Sequence, residues 1–189
     1  MKGTHNTMTY ARAVQWWARL APAFWRCQSD NLKRQYFKGG ARCFDLRVRF
    51  DKSTQNPYFC HGAVKLEGNV IGAIAAISAM AAAKKEPTYI RLTLEDTRSR
   101  GWMEYSFTRF CRAMVRAYPS LHFFGGHRKG DWKLLYAFGT EPTLYQPVGS
   151  MAEDARWYER FMPRAYARRK NRENMAKQAK DGITIYDFL

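Results

Sequence analysis

Two histidines near the start of the chain lie in short polar segments, with a carboxylate and an arginine between them. They are His5 and His61, and Asp45 and Arg47 occupy the intervening sequence. Two imidazoles can divide proton transfer, one neutral as a base and the other charged as an acid. An arginine binds phosphate through two hydrogen bonds, and a carboxylate fixes the tautomer of a neighbouring histidine. The set predicts cleavage of a phosphodiester by an internal hydroxyl, although a single histidine of this kind is more often structural.

The strands that would position these residues are recognised by a strict alternation of apolar and polar side chains. Over residues 42–50, four apolar side chains share one face, and Asp45 and Arg47 lie on the other. Over residues 88–95, Arg91 and Glu95 lie opposite three apolar side chains. A period of two is typical of a strand. Shorter strands are expected at 58–60, 121–125, 134–138 and 183–188.

Helical patterns separate these strands. We expect helices over 10–20, 30–37, 68–85, 102–118 and 153–180, the last bent or broken at Pro163. In the first helix, Val14, Trp16 and Trp17 are expected on the apolar side. In the last helix, the expected core-facing side chains are Tyr158, Phe161, Met162 and Tyr166. Alternation of strands and helices predicts an α/β fold with parallel pairing.

The charged strand faces decide between two α/β architectures. Strands of an open, doubly wound sheet are apolar on both faces, whereas here one face carries charges. A closed barrel accounts for this pattern, with apolar faces against the helices and polar tips inside. The alternative is a set of edge strands with one solvated face. Because such barrels usually need about 250 residues, we expect a small, distorted or incomplete TIM barrel, formed as one domain over residues 1–189.

Composition and charge limit the classes of partner. The chain has 32 Lys and Arg against 16 Asp and Glu, a net charge of +16, which favours nucleic acid, anionic lipid or phosphorylated metabolites. An apolar content of 46% argues against a disordered chain. No apolar run is long enough for a transmembrane helix, and the first residues lack the apolar core of a secretory signal, so a cytoplasmic protein is expected. The four cysteines have no CxxC spacing and are expected to be buried thiols.

The order of three short motifs resembles a known family. Gly-Thr-His-Asn at 3–6, Phe-Asp-Leu-Arg at 44–47 and His-Gly at 61–62 resemble the catalytic X region of phosphatidylinositol-specific phospholipase C. Weaker similarities follow at 92–96 and 185–188. The resemblance spans nearly the whole chain but is dense only from His5 to His61. It implies a distorted TIM barrel of the phospholipase C-like phosphodiesterase superfamily, which cleaves phosphoinositides through a cyclic phosphate.

The resemblance also implies roles for individual residues. His5 would deprotonate the inositol 2-hydroxyl, and His61 would protonate the leaving diacylglycerol oxygen. Arg47 would take the place of calcium, as in the metal-independent bacterial branch, and Asp45 would support the acid histidine. Asp187 would be the carboxylate partner of His5, since in a closed barrel the last strand lies beside the first.

Two residues match calcium ligands of the eukaryotic branch. They are Asn6 and Glu95, whereas Arg47 stands where the calcium enzymes have a carboxylate. A fixed guanidinium should repel a divalent cation, so we expect no metal and no cofactor, with calcium the less favoured alternative. Asn6, Glu95 and Arg91 are then candidates for substrate binding. Glu95 has a second interpretation, an ion pair with Arg47 or Arg91.

Several alternatives stay open for partners and function. The expected substrate is a phosphoinositide or a related headgroup, but a nucleic-acid or soluble phosphodiester fits the same chemistry. A non-catalytic binding or structural protein that retains the barrel is the third hypothesis. The basic last helix and the loop at 125–130 can contact phosphates or be ordinary solvated segments. Trp16, Trp17 and Trp25 either insert at a lipid interface or pack over the first strand. The sequence leaves the oligomeric state open.

Overall fold

A computed structural model describes residues 1–95, 101–127, 144–145, 154–159, 162–174 and 182–188. Its strands, in chain order, are β1 (Lys2–Thr4), β2 (Cys43–Phe50), β3 (Pro57–His61), β4 (Val64–Lys65), β5 (Thr88–Leu94), β6 (Leu121–His127), β7 (Leu144–Tyr145) and β8 (Ile183–Tyr186). Its α-helices are α1 (Trp16–Leu20), α2 (Leu32–Phe37), α3 (Val70–Lys84), α4 (Gly101–Ala117) and α5 (Pro163–Asn174). Short 3₁₀ helices occupy Thr7–Tyr10 and Pro22–Phe24. The predicted strand at 134–138 lies outside the described residues, as do positions 128–130 of the predicted loop.

Parallel pairing runs through six strands in the order β6-β5-β2-β1-β8-β7. The hairpin of β3 and β4 joins β2 in antiparallel pairing beyond the end of β1. Within the described residues, no pairing joins β6 to β7, so the barrel is incomplete. The sequence-based expectation of a small, incomplete α/β barrel is confirmed.

The parallel strands β2 and β5 carry the charged faces inside the barrel. In the register of β2 and β5, Asp45 is opposite Arg91 and Arg47 is opposite Thr93. The alternate residues of both strands are apolar and almost inaccessible to solvent, and they form one core with residues of α3 and α4. Burial of each such side chain stabilises the fold by about 1.5–3 kcal/mol. The same packing therefore fixes the position of the polar side chains.

Glycine is required at one close contact between strands. Gly125 in β6 has φ +126°, and a Cβ there would lie 2.0 Å from the carbonyl oxygen of Leu92 in β5. No side chain can be accommodated at that distance without moving a strand. Gly125 therefore lets β6 approach the strand that carries Arg91.

The first predicted helix is largely wrong. Ala13 forms an antiparallel bridge with Leu66, and the Val14 amide donates to the Lys65 carbonyl, so this part of 10–20 is extended. Only α1 remains helical. Trp16 is 71% exposed and Trp17 47%, and Val14 is also exposed, which corrects their expected place on a buried side.

The last predicted helix is shorter in the described residues. Pro163 is the first residue of α5, a position where its missing amide hydrogen costs nothing, and this accounts for the predicted break. Tyr166 is buried as expected. Tyr158 and Met162 are exposed, which corrects their expected core-facing role, and Phe161 lies outside the described residues.

In the described part of the chain, no helix combines the length and the hydrophobicity needed to cross a bilayer.

Candidate active site

His5 is held where the first and last strands of the barrel end together. β1 and β8 are parallel neighbours, with Thr4 opposite Tyr186, so the next residues on each strand meet. The His5 amide donates to the Tyr186 carbonyl at 2.9 Å, and His5 Nδ1 lies 2.6 Å from Asp187 Oδ1. Because a carboxylate only accepts, this contact assigns the ring proton to Nδ1 and leaves Nε2 as an acceptor in the neutral ring.

Arg47 faces the other nitrogen of this ring. Its Nη2 lies 2.5 Å from His5 Nε2, its Nε donates to Asp45 Oδ2 at 3.2 Å, and its Nη1 donates to Glu95 Oε2 at 3.2 Å. The Arg47 side chain is only 13% exposed. Burial alone would lower the pKa of Arg47, but Asp45 and Glu95 raise it above its ordinary value. The guanidinium is therefore charged and rigidly oriented.

Asp45 lies at the centre of a buried network. It accepts from the Asn6 amide at 3.0 Å and from Thr93 Oγ1 at 3.4 Å, and Arg91 Nη1 lies 3.9 Å away. Burial alone would raise the pKa of Asp45, but Arg47 and Arg91 hold it far below its ordinary value. Asp45 is therefore an anion that balances two buried guanidinium groups.

His61 ends β3 and receives its orientation from a backbone group. Its Nδ1 is hydrogen-bonded to the carbonyl oxygen of Trp25. A carbonyl only accepts, so Nδ1 carries a proton and Nε2 is the nitrogen that changes charge. The expected support from Asp45 is thus replaced by support from Trp25. Burial lowers the pKa of His61, and the charges of Arg47 and His5 lower it further.

Glu95 connects the arginine to the turn after His61. Its Oε2 accepts from Arg47, and its Oε1 accepts from the Gly62 amide at 3.2 Å. The Glu95 side chain is fully buried. The ion pair with Arg47 is the second interpretation that the sequence had left open for this residue.

Asn6 adds an unpaired donor beside the network. It has a left-handed backbone conformation, φ 43° and ψ 57°, and it is 1% exposed. Its Nδ2 atom is buried without a hydrogen-bond partner. A buried amide without a partner is costly, so this nitrogen is a candidate donor to an oxygen of a bound ligand.

These residues do not fit a calcium ion of the eukaryotic type. Such a site needs several oxygen ligands around one cation. Here the Arg47 guanidinium lies between the carboxylates of Asp45 and Glu95 and donates hydrogen bonds to both. A positive group therefore occupies the place that the cation would need.

The segment that supports His5 and His61 from one side could not be recognised in the sequence. Gln28 Nε2 donates to the carbonyl oxygens of His5 at 3.1 Å and Tyr186 at 2.8 Å. Thr9 Oγ1 accepts from the amides of Cys27 and Gln28, each at 2.9 Å. These contacts run through backbone atoms of distant residues, and no periodic pattern marks them.

All eight predicted site residues lie in the described part of the chain. Hydrogen bonds or ion pairs connect seven of them to one another: His5, Asn6, Asp45, Arg47, Arg91, Glu95 and Asp187. His61 joins the group through the electrostatic effects of His5, Arg47 and Glu95 on its pKa. The site thus combines an acceptor nitrogen, a fixed guanidinium and a second imidazole, and the role of each stays a prediction.

Comparisons with known proteins bear on the fold. No protein-family model matches the chain, and no curated protein matches it either. The chain is similar to a solved structure of S. aureus phosphatidylinositol-specific phospholipase C, with a TM-score of 0.66 and 14% sequence identity. The match covers 100% of this chain and 85% of that one. At this identity the likeness concerns the fold alone: the chain has an incomplete TIM barrel.

Proposed function

We propose that the protein is a phosphodiesterase that cleaves its substrate by attack of a neighbouring hydroxyl on phosphorus. The observation that carries the proposal is the environment of His5, with Asp187 on Nδ1 and the buried Arg47 guanidinium at Nε2. One side of the ring is fixed by an anion, and the other meets a cation that can bind phosphate. This arrangement supports the assignment of His5 as a base beside a phosphate site.

The first step uses His5 as the base. In the substrate complex, the attacking hydroxyl replaces Arg47 as the donor to Nε2 of His5, and Arg47 turns its donors to the phosphate oxygens. The proton moves from the hydroxyl to Nε2 as the oxygen bonds to phosphorus. Asp187 stabilises the imidazolium that forms, and Arg47 stabilises the charge that develops on the phosphoryl oxygens.

The second proton transfer uses His61. The acid is the charged form of His61, in which Nε2 also carries a proton; because burial lowers the pKa of His61, this form is the minor one near pH 7. Its Nε2–H protonates the leaving oxygen as the bond to phosphorus breaks, and a cyclic phosphodiester is the product. Since Trp25 holds the Nδ1 proton, only Nε2 gains and loses its proton. No step requires a metal ion, because Arg47 supplies the positive charge.

The substrate that we propose is a phosphoinositide or a related headgroup at an anionic membrane surface. Its ring supplies a hydroxyl next to the phosphodiester, as the mechanism requires.

The exposed side chains of Trp16, Trp17, Leu20 and Phe24 form an apolar surface, which we call the α1 surface. Trp25, whose carbonyl orients His61, follows this surface directly in sequence. Trp25 itself is buried and donates to the Ala18 carbonyl, so it packs within the fold. The α1 surface is therefore close to the site in sequence, and its exposed aromatic side chains fit a lipid interface. The cytoplasmic location stays a prediction. The formation of one domain by residues 1–189 also stays a prediction.

Nucleotide phosphodiesters are the second candidate substrate. The net charge of +16 favours them, and RNA carries a hydroxyl next to each phosphodiester. The third hypothesis, a non-catalytic protein that retains the barrel, predicts no cleavage of either substrate.

The test uses single substitutions of three histidines, two in the candidate site and one outside it. His5→Ala and His61→Ala should each lower cleavage of glycerophosphoinositol by about 10²–10⁴-fold. The matched control is His122→Ala, because His122 is exposed and stacks on Tyr89 outside the hydrogen-bond network. Unchanged rates in both site variants would overturn the proposal. If wild-type protein cleaves an RNA dinucleotide and not glycerophosphoinositol, the second substrate class is correct.

A further inference from the structure

The thiol of Cys27 lies inside the candidate site but has no part in the proposed reaction. Cys27 belongs to the irregular segment before α2, and its thiol hydrogen-bonds Asp187. The same carboxylate bonds His5 Nδ1 at 2.6 Å. One ligand atom from each of these three residues lies within 4.8 Å of the other two.

We propose that this His5–Cys27–Asp187 group binds a zinc ion that blocks the site. Zinc prefers thiolate sulfur, imidazole nitrogen and carboxylate oxygen at about 2.0–2.3 Å, so its ligands lie about 3.5 Å apart. Small rotations of the side chains bring the three atoms to that spacing. Three protein ligands leave a fourth position of the tetrahedron for water.

The charges of the group suit a divalent cation. Asp187 and the Cys27 thiolate carry two negative charges, which neutralise Zn²⁺. Arg47 contacts the opposite nitrogen of the His5 ring and has its own carboxylate partners, Asp45 and Glu95. Its positive charge is therefore balanced by these carboxylates, although it also acts on the Cys27 thiol, whose pKa burial and Asp187 raise and Arg47 lowers.

The group is largely buried but not sealed from water. The side chains of His5 and Asp187 are 12% and 10% exposed, and Cys27 is half-buried. This remaining exposure is the path by which an ion would enter and the place for a water molecule as its fourth ligand.

Binding of the ion changes the state of the base. Zn²⁺ takes the place of the thiol proton, which is released, and bonds to Nδ1 of His5. The ring proton of the neutral imidazole then resides on Nε2, so Arg47 loses its acceptor and must turn away, and no acceptor remains for a substrate hydroxyl. Zinc should therefore inhibit the proposed reaction, in contrast to a resident catalytic cofactor. The binding itself does not depend on the proposed function.

The test measures metal binding without any substrate. Wild-type protein with Co²⁺ in place of Zn²⁺ should show a thiolate-to-cobalt charge-transfer band in the near ultraviolet. Zinc competition against a chromophoric chelator should give one site per chain. Cys27→Ser and Asp187→Asn should each weaken zinc binding by at least about tenfold. Mg²⁺ should not compete, since it avoids thiolates.

The control is Cys111→Ala, because Cys111 is buried in α4 away from the group. This variant should bind zinc as wild-type does. A cobalt complex of the wild-type protein without a thiolate band would overturn the inference, whatever the variants do. Equal zinc affinity of wild-type protein and Cys27→Ser, with matching circular dichroism spectra, would also overturn it. Either result can occur with full phosphodiesterase activity, so failure here is distinct from failure of the proposed function.

Discussion

Arg47 joins the two ends of the candidate site at the scale of single residues. Through its three nitrogens it contacts His5, Asp45 and Glu95, and Glu95 continues to the Gly62 amide. Loss of one partner from such a buried set typically costs about 3–5 kcal/mol, because the remaining charge is left without compensation. The network therefore fixes the Arg47 guanidinium, the proposed phosphate-binding group, before substrate arrives.

His61 should titrate below the ordinary histidine range. Burial lowers its pKa, with further lowering by Arg47 and His5, so most molecules hold a neutral His61 near pH 7. In the unfolded chain the same residue titrates near about 6.5. As the pH falls below that value, His61 is protonated in the unfolded state but stays neutral in the folded state. The free energy of unfolding therefore decreases as the pH falls. NMR titration of the His61 ring should give a midpoint below about 6.5.

The control for this titration is Arg47→Gln. Removal of one positive charge should raise the His61 midpoint toward its ordinary value. A wild-type midpoint above about 6.5 would contradict the effect of burial.

The residue types at the site could be predicted from the sequence, but several of their partners could not. His5, Asp45, Arg47 and Glu95 stand in recognisable motifs or on strands with period-two alternation. The carbonyl of Trp25 and the amide of Gly62 carry no side-chain signal, so the orientation of His61 depends on tertiary structure alone. Cys27 lies in an irregular segment, and only the fold brings it to Asp187.

At the scale of elements, the alternation of apolar and charged residues predicted β2 and β5 correctly, because one face of each strand is apolar and the other is charged. The pattern of apolar residues gave a wrong prediction for the helix at 10–20. There the bridge of Ala13 with Leu66 competes with helix formation, and Trp16 and Trp17 are apolar but exposed. A pattern of apolar residues predicts that one side of an element is buried. It cannot distinguish a side that packs in the core from a side that would contact a lipid interface.

Gly125→Ala should disrupt the contact of β5 with β6. The added Cβ would lie 2.0 Å from the Leu92 carbonyl oxygen at a φ of +126°. We expect the free energy of unfolding to fall by about 3 kcal/mol or more, measured by urea denaturation. The matched control is Gly101→Ala at the start of α4, where a Cβ meets no atom within 4 Å. Similar stability of both variants would contradict the tight approach of the two strands.

Trp16→Ala combined with Trp17→Ala should weaken binding to phosphatidylinositol-containing vesicles. Loss of two aromatic side chains that insert at the interface should lower the partition coefficient by about tenfold or more. Vesicle sedimentation measures the change. Trp157→Ala is the control, because Trp157 is 78% exposed, packs on Tyr158 and does not belong to the α1 surface. An equal loss in the control would show that vesicle binding does not depend on the α1 surface.

At the scale of the whole molecule, the net charge of +16 divides into internal and external parts. Arg47 and Arg91 lie inside the barrel with Asp45. On α5, Arg169 pairs with Glu159 and Glu173, and Lys170 pairs with Asp154. Some of the positive charges of α5 therefore form ion pairs within the protein. The others are available to attract an anionic surface. Total charge could be counted from the sequence, but its distribution required the fold.

The central claim is that His5 and His61 cleave a phosphodiester through a cyclic intermediate. The most direct measurement is ³¹P NMR of the reaction with glycerophosphoinositol, followed for wild-type protein and for His5→Ala. The account predicts that the wild-type protein produces a cyclic phosphodiester resonance before any phosphomonoester, and that His5→Ala produces neither over the same time. A phosphomonoester that forms without the cyclic resonance, or equal cyclic product from His5→Ala, would contradict it.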